Sequence, residues 1–398
     1  ALLIEGARRI GKSTLVEEFA KNEYRSYLMI DFNKVSDSVI SAFNNYMNDL
    51  DTFFLILSSE YGVRLYPKES IIIFDEIQQF PKARQAIKYL VADGRFDYIE
   101  TGSLISIKEN VNDITIPSEE RTLLMYPMDF EEFAWAMNEE PLMAYIRQCF
   151  DKKVPLEQGI HAKAMLLFRQ YMIVGGMPKS LSAYLENNRN FEMADMEKRD
   201  ILTLYRNDIK KIKSGYRSSV LSIFDQIPAF LSRSERRVVM NRIEKGASFP
   251  KYHDTFFWLS DSMIANECFN CSDPNVGLSL NEDRTYVKCY MGDTGLLISH
   301  TFDENEISDG ELYREILLGK LSVNEGMFYE NVIAQMLVAA GHKLYFYTRY
   351  NQEKHRNDME IDFILSNHSK LRYKIFPIEV KSNDKYSIRS LTRFNESF

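Results

Sequence analysis

"IEGARRIGKST", residues 4–14, sets two glycines around four residues and follows them with a lysine and two hydroxyls. The flanks decide what this means. "ALLIE" (1–5) is a short apolar run of strand character, and "KSTLVEEFAKN" (12–22) places Leu15, Phe19 and Ala20 at helical spacing. The order strand, glycine loop, helix makes GxxxxGK[ST] a phosphate cradle. Gly6 and Gly11 let the backbone wrap, loop amides and the helix N-terminus face the phosphates, and Lys12 reaches the β/γ oxygens. The expected nucleotide-binding set is Gly6, Ala7, Arg8, Arg9, Ile10, Gly11, Lys12, Ser13 and Thr14, with Ser13 as the Mg²⁺ ligand. Arg8 and Arg9 either touch phosphate or lie exposed. The plainer alternative is a glycine turn before a basic helix.

Hydrolysis needs a second strand carrying acid, and "SIIIFDEIQQFP" (70–81) supplies one. Ile71 to Phe74 reads as a buried parallel strand ending at Asp75 and Glu76. In open α/β folds ligands sit beyond the carboxyl ends of the strands. Asp75 is expected to hold Mg²⁺ and Glu76 to polarise the attacking water. A third strand, "FDYIETGS" (96–103), ends in Thr101 and Ser103, whose hydroxyls lie beside the γ-phosphate if this strand sits between the other two. A plain turn after a strand has the same composition.

Composition bounds the rest. With 398 residues the chain is long enough for two to four domains, and no apolar run reaches the roughly 20 residues of a membrane span. The chain starts at Ala1 on an apolar run and stops at "SLTRFNESF", so a piece trimmed at both ends is expected, with no secretory signal in what is present. The four cysteines (149, 268, 271, 289) are too scattered for a disulfide framework. A reducing cytoplasm fits them. Cys268 and Cys271 form a CxxC, but a zinc site wants a second pair, so they are read as ordinary thiols. A net charge of −8 excludes a generally basic coat, yet residues 200–251 carry eleven Lys/Arg against five Asp/Glu. Any nucleic-acid contact is therefore local.

"GARRIGKST", "IIIFDEIQQFP", "IETGS" and "RTLLMYPMDFEEF" (Arg121 to Phe133) together resemble the AAA-type P-loop ATPase domain of a large family of prokaryotic ATP-binding proteins. The resemblance extends over almost all of the chain. It implies an ATPase domain followed by a winged-helix segment and a C-terminal domain like restriction endonucleases. It also implies a further segment ahead of the first strand, with adenine contacts on it. The expected fold is α/β and multidomain: a P-loop NTPase parallel sheet (1–135), a helical linker (136–216), a winged helix (217–300) and a small, C-terminally truncated nuclease-like α/β domain (310–398). AAA-type domains often assemble, so a homo-oligomer is among the expected partners, beside ATP/ADP and DNA.

From Ala134 to Arg217 apolar residues recur every three or four positions, interrupted by "GGMP" (175–178) as a turn. Arg199 and Arg206 lie on this stretch, either as an arginine finger toward a neighbouring subunit or on a solvated helix face. Three helical segments follow, "VLSIFDQIPAFL", "RSERRVVMNRIEKG" and "KYHDTFFWLSDSMI", then two strand-like segments, as in a winged helix. The second segment is expected to be a helix presenting Arg233, Arg236, Arg237, Arg242 and Lys245, to DNA phosphates or to solvent.

"VNEGMFYENVIAQMLVAAGHKLYFYTR" (323–349) reads as a helix running into a strand, and "NDMEIDFILSN" and "KIFPIEVKSND" as two further strands. Residues two apart on a strand share a face, which pairs Glu360 with Asp362 and Glu379 with Lys381. Carboxylates so placed suit Mg²⁺ or Mn²⁺, with the lysine steadying charge that builds on a phosphate. The pattern resembles the PD-(D/E)xK nuclease core, which implies Glu330, Asp362 and Glu379 as metal ligands and Lys381 as the catalytic lysine. The same alternation also occurs on exposed strands. Three functions stand open: an ATPase coupled to DNA binding or processing, a nucleotide-controlled switch acting through protein partners with an inactive nuclease-like domain, and a nuclease braked by its ATPase domain.

Overall fold

The computed structural model describes residues 1–102, 119–212, 215–233, 236–238, 240–243, 249–275, 277–303, 310–319, 325–351, 356–366, 375–382 and 386–398. Ser103 and Lys245 lie outside them, as does the side chain of Arg242. The chain divides into two compact units, Ala1–Tyr126 with Asp261–Met263, and Pro127–Ser260 with Ile264–Phe398.

The first unit is a parallel sheet of β1 (Leu2–Gly6), β2 (Ser26–Asp31), β3 (Ser70–Asp75), β4 (Asp97–Gly102) and β5 (Arg121–Met125), in the order β2-β3-β4-β1-β5. Every described β3 residue is buried, as the unbroken run Ile71 to Phe74 requires of a strand covered on both faces. One face carries Leu3, Leu28, Ile30, Ile72, Phe74 and Tyr98 against the helices α2 (Asp37–Asn45), α3 (Leu50–Tyr61) and α4 (Pro81–Asp93). The other packs Ile4, Ile71, Ile73 and Ile99 against Val16 and Ala20 of α1 (Lys12–Glu23). The inner stripe of α1 is thus Lys12, Val16 and Ala20, while Leu15 and Phe19 stay about half exposed. Starting the four-residue repeat at Lys12 rather than at Leu15 turns the helix so that its lysine points inward.

The second unit opens with helices at Phe130–Ala136, Glu140–Lys152, Gln158–Val174, Pro178–Glu186 and Phe191–Lys211, the last two separated from their predecessors by the Gly175–Met177 turn. Gly175 has φ +82°, and a Cβ on Gly176 would sit 2.2 Å from the Met128 carbonyl oxygen, so this turn is packed backbone to backbone. β6 (Ala265–Cys271) and β7 (Glu282–Met291) form an antiparallel hairpin. The other edge of β6 pairs in parallel with β8 (Leu344–Asn351), which pairs with β9 (Arg356–Ile361), so the hairpin read as a wing shares one sheet with the strands read as nuclease-like. β10 (Phe363–Ser366) and β11 (Ile375–Ile378) form a separate antiparallel pair.

Three local expectations need correcting. "NDMEIDFILSN" is two strands broken at Asp362, because β9 pairs with β8 and β10 with β11. Glu379 and Lys381 follow β11 instead of lying in it; there the Val380 amide donates to the Asp362 carboxylate at 2.8 Å in place of a ladder partner. The basic segment 233–242 is helical in the described residues only at Met240–Ile243. Upstream, the Arg236 amide bonds the Arg233 carbonyl at 3.2 Å, Arg236 has φ +47°, and the Val238 amide bonds the Val287 carbonyl of β7 at 2.9 Å, so Val238 is tied to a strand and not to a helical turn. Among the described residues, no helix is long and apolar enough to cross a membrane.

Candidate functional site

β4 lies between β1 and β3, in register at Leu3 with Glu100 and Phe74 with Glu100. The carboxyl ends of three strands therefore converge beside the loop 6–11. Gly11 has φ +91°, a conformation open to glycine, and Arg9 has φ +70°. A Cβ on Gly6 would meet the Met125 carbonyl oxygen and the Ile10 side chain, each at 2.4 Å. The loop is thus held against β5 at a separation only glycine permits.

Lys12 is buried under this loop and donates from Nζ to the carbonyls of Gly6 at 3.0 Å and Ala7 at 2.8 Å. Burial lowers its pKa to about 8; Glu76 and Asp75 act in the opposite direction and Arg8 adds to the lowering. Arg8 thus brings its charge to the lysine, whereas Arg9 is exposed. Asp75 gathers the remaining groups. Its Oδ1 accepts from Ser13 Oγ at 2.8 Å and from Thr101 Oγ1, and Thr101 Oγ1 accepts from the Glu76 amide at 3.3 Å. Ser13 and Thr101 thus meet at one carboxylate oxygen of Asp75. A hydroxyl and a carboxylate in mutual contact offer hard oxygen donors suited to Mg²⁺, so the residues fit that ion.

Glu76 sits at φ +56°, in the left-handed region, which swings its carboxylate away from the path of β3. The buried Gln78 donates from Nε2 to that carboxylate. Sequence reasoning passed over Gln78; its signal was an amide two residues beyond the candidate water-polarising acid. Also unforeseen is a buried pair on the α4 side of the sheet, where Arg84 binds Glu120 in bidentate fashion at 3.0 and 2.6 Å. The carboxyl of Glu100 is buried nearby, and burial, then Glu120, push its pKa well above the ordinary range.

The second unit contains a cleft of about 580 Å³ that brings together Glu330, Glu360, Asp362, Glu379 and Lys381, joined by Arg236. All four nuclease-like positions read from the sequence therefore face one space. Glu330, Glu379 and Lys381 are ion-paired, and Asp362 accepts from the Val380 amide. Glu330 ion-pairs with Lys288 at 3.2 Å and with Arg236, and accepts from the Tyr290 hydroxyl. Lys288 also reaches Glu360 at 3.3 Å, and Lys381 pairs with Glu379. Burial keeps the Tyr290 phenol protonated far above its ordinary pKa, so it can only donate to Glu330. Among the described residues no three His, Cys, Asp or Glu side chains converge as a ligand set. The acids of the cleft, as placed, do not fit a metal ion.

Lys288 and Tyr290 were missed, although a lysine two residues from a tyrosine within the apolar strand "VKCYM" marks a face with polar work. Of the expected DNA contacts, Arg236 lies on Glu330, Arg237 is stacked over Tyr286 and Arg233 over Phe230. Arg199 is bound to Asp195 at 2.7 Å and to the Phe302 and Asp303 carbonyls, and Arg206 to Asp225 at 3.0 Å and Asp303 at 2.7 Å. Both arginines are held within their own unit, which neither a finger nor a solvated face requires.

Residues 1–134 match the family model described as an AAA domain. Residues 165–306 and 325–398 match two domains of unknown function, DUF8612 and DUF4143. No curated protein matches the chain. Among solved structures, the closed state of Hsp104 with ATPγS and FITC casein is 13% identical with a TM-score of 0.29, covering 68% of this chain and 48% of that one. Cdc6p from Pyrobaculum aerophilum is 12% identical with a TM-score of 0.26, covering 80% and 88%. The chain spans about half the length of the Hsp104 chain. At such scores neither likeness carries a statement about this one.

Proposed function

We propose that this AAA-domain chain is an ATPase that binds ATP with Mg²⁺ at loop 6–14, and that its nucleotide state controls engagement of DNA by the second unit. The observation that supports the ATPase reading best is the Asp75 carboxylate shared by Ser13 of the loop and Thr101 of the neighbouring strand. Lys12, released from the Gly6 and Ala7 carbonyls, holds the β/γ oxygens. Ser13 and Asp75 would hold Mg²⁺, which when bound neutralises charge on the transferred phosphoryl group. Glu76 orients and polarises the attacking water, Gln78 fixes the direction of its carboxylate, and Thr101 lies near the γ-phosphate.

A second reading, a nucleotide-controlled switch without DNA cleavage, is favoured by the internally paired acids of the cleft. In it Glu330, Asp362, Glu379 and Lys381 keep a nuclease-like framework for binding alone. One assay separates the two. ATP turnover by the full chain is measured with and without DNA, beside Lys12→Ala and Glu76→Gln. Turnover that both variants abolish, and that DNA stimulates in the parent, supports the coupled reading. Turnover indifferent to DNA supports the switch, and turnover surviving both variants removes the ATPase proposal.

A further inference from the structure

The turn at 175–178 is more than a break between helices, because three backbones meet there. A Cβ on Gly295 would stand 2.6 Å from the Gly175 Cα, and one on Gly176 would stand 2.2 Å from the Met128 carbonyl oxygen. Only glycine allows such spacing. The buried carboxylate of Asp293 ties the pieces together. It accepts from the amides of Gly176 and Leu296, the latter at 2.9 Å, and from Gln335 Nε2 at 3.3 Å. Gln335, on the helix Glu325–Ala339, also accepts from the Thr294 amide at 2.9 Å. What this junction holds is Met128. Its amide donates to the Gly176 carbonyl at 2.9 Å, and its carbonyl accepts from the buried Tyr171 hydroxyl at 2.8 Å. The same hydroxyl accepts from Gln335 Nε2 at 3.0 Å. Loss of any one of these buried groups leaves its partner unsatisfied away from water, so the junction resists piecemeal opening.

Three positions upstream of Met128, Met125 ends β5 in register with Gly6 of the nucleotide loop, whose carbonyl accepts from Lys12 at 3.0 Å. A nucleotide that draws Lys12 to its phosphates removes that bond. Between Met125 and Met128 stand Tyr126 and Pro127 alone. Three peptide steps span about 10 Å at most, and proline restricts both itself and the residue before it. We propose that the Met128 junction is the transmission point of this protein: a shift of Gly6 and Met125 on nucleotide binding is carried through Tyr126 and Pro127 to Met128, and from there by Tyr171 and Gln335 to the helix Glu325–Ala339. The short tether has little slack to absorb the shift, and the junction has no loose member to absorb it either. This inference rests on reading the loop as a nucleotide site that controls the second unit.

The test is amide hydrogen exchange in the full chain, read on peptides covering Gly176 and Thr294 to Leu296, with and without a saturating non-hydrolysable ATP analogue and Mg²⁺. The parent is compared with a variant carrying Gly-Ser inserted between Tyr126 and Pro127, and with Tyr171→Phe, folding being checked by circular dichroism and nucleotide binding by fluorescence titration. The insertion adds about 7 Å of flexible chain and alters no side chain of the loop or the junction. In the parent, exchange in these peptides is expected to change about tenfold or more when nucleotide binds, and in both variants the change is expected to fall below about twofold while nucleotide still binds. A response that survives the insertion would overturn the tether as the route and leave control by nucleotide standing. One that survives Tyr171→Phe would remove the junction from the route. A parent that binds nucleotide without any response would overturn the transmission while leaving the binding loop intact. Absence of nucleotide binding by the folded parent would remove the reading on which the proposal rests, and the proposal with it.

Discussion

The two polar centres of this molecule are made of nearly the same side chains and are wired in opposite ways. At the loop end of the first sheet, Lys12 bonds to neutral carbonyls and Asp75 accepts from neutral hydroxyls. In the cleft of the second unit, Glu330, Glu360 and Glu379 each have a cation against them. Carbonyls and hydroxyls satisfy hydrogen bonds but leave charge unbalanced, so the first centre is ready for an anion and a cation arriving together as a metal nucleotide. The ion pairs of the second balance charge within the fold, and a ligand there must displace a partner first. Residue type alone says little about readiness; what each charged group already holds says more.

The contrast is broken most severely at the loop end of the first sheet. Glu76→Gln keeps the shape and the Gln78 contact but removes the charge, and turnover should fall about 10²–10⁴-fold while nucleotide affinity stays within a few-fold. Equal loss of affinity, read by titration with a fluorescent nucleotide, would make Glu76 part of the binding cradle instead. At the other centre, Lys288→Met leaves two carboxylates without their buried cation and should cost about 3–5 kcal/mol of second-unit stability in a denaturant titration. A loss under about 1 kcal/mol would show that the cleft acids do not depend on internal compensation.

Two smaller effects sharpen the same contrast. Lys12 is buried with a pKa of about 8, and phosphate binding favours its charged form. Nucleotide affinity should therefore be flat below pH 8 and decline above it, by up to about tenfold per pH unit, and the decline should vanish in Lys12→Arg. An affinity flat to pH 10 would mean that Lys12 keeps its charge despite burial. Smallest is Gln78→Leu, which removes the donor to Glu76 and should lower turnover about tenfold with binding intact, as steady-state kinetics would read it. Unchanged turnover would show that φ +56° at Glu76 positions the carboxylate without help.

Legibility differed between the two centres for a physical reason. The loop lies within one strand-loop-helix unit, so Gly6, Gly11, Lys12 and Ser13 are placed by local backbone geometry that spacing encodes. Asp75 and Thr101 were legible too, because a buried parallel strand ends at a known edge of its sheet. The inward face of α1 was not legible, since a helix of mixed character can turn either of two stripes to the core and the sheet chooses Lys12, Val16 and Ala20. Arg236 was read as a helical surface residue because nothing nearby in the sequence mentions Glu330, which is 94 positions away. Lys288 and Tyr290 were hidden in the same way by their distance from the helix they serve.

What the sequence by itself determined is the phosphate cradle, the acid-bearing strand, the α/β class and the list of carboxylates and lysine in the C-terminal region. These follow from patterns with periods of two to five residues, which are properties of the backbone. Only the tertiary structure decided that β4 stands between β1 and β3, that the β6–β7 hairpin joins the sheet of β8 and β9, and that Arg236 and Lys288 close over Glu330. Those are choices among long-range partners, and they are made by which buried charges and edges have no other way to be satisfied.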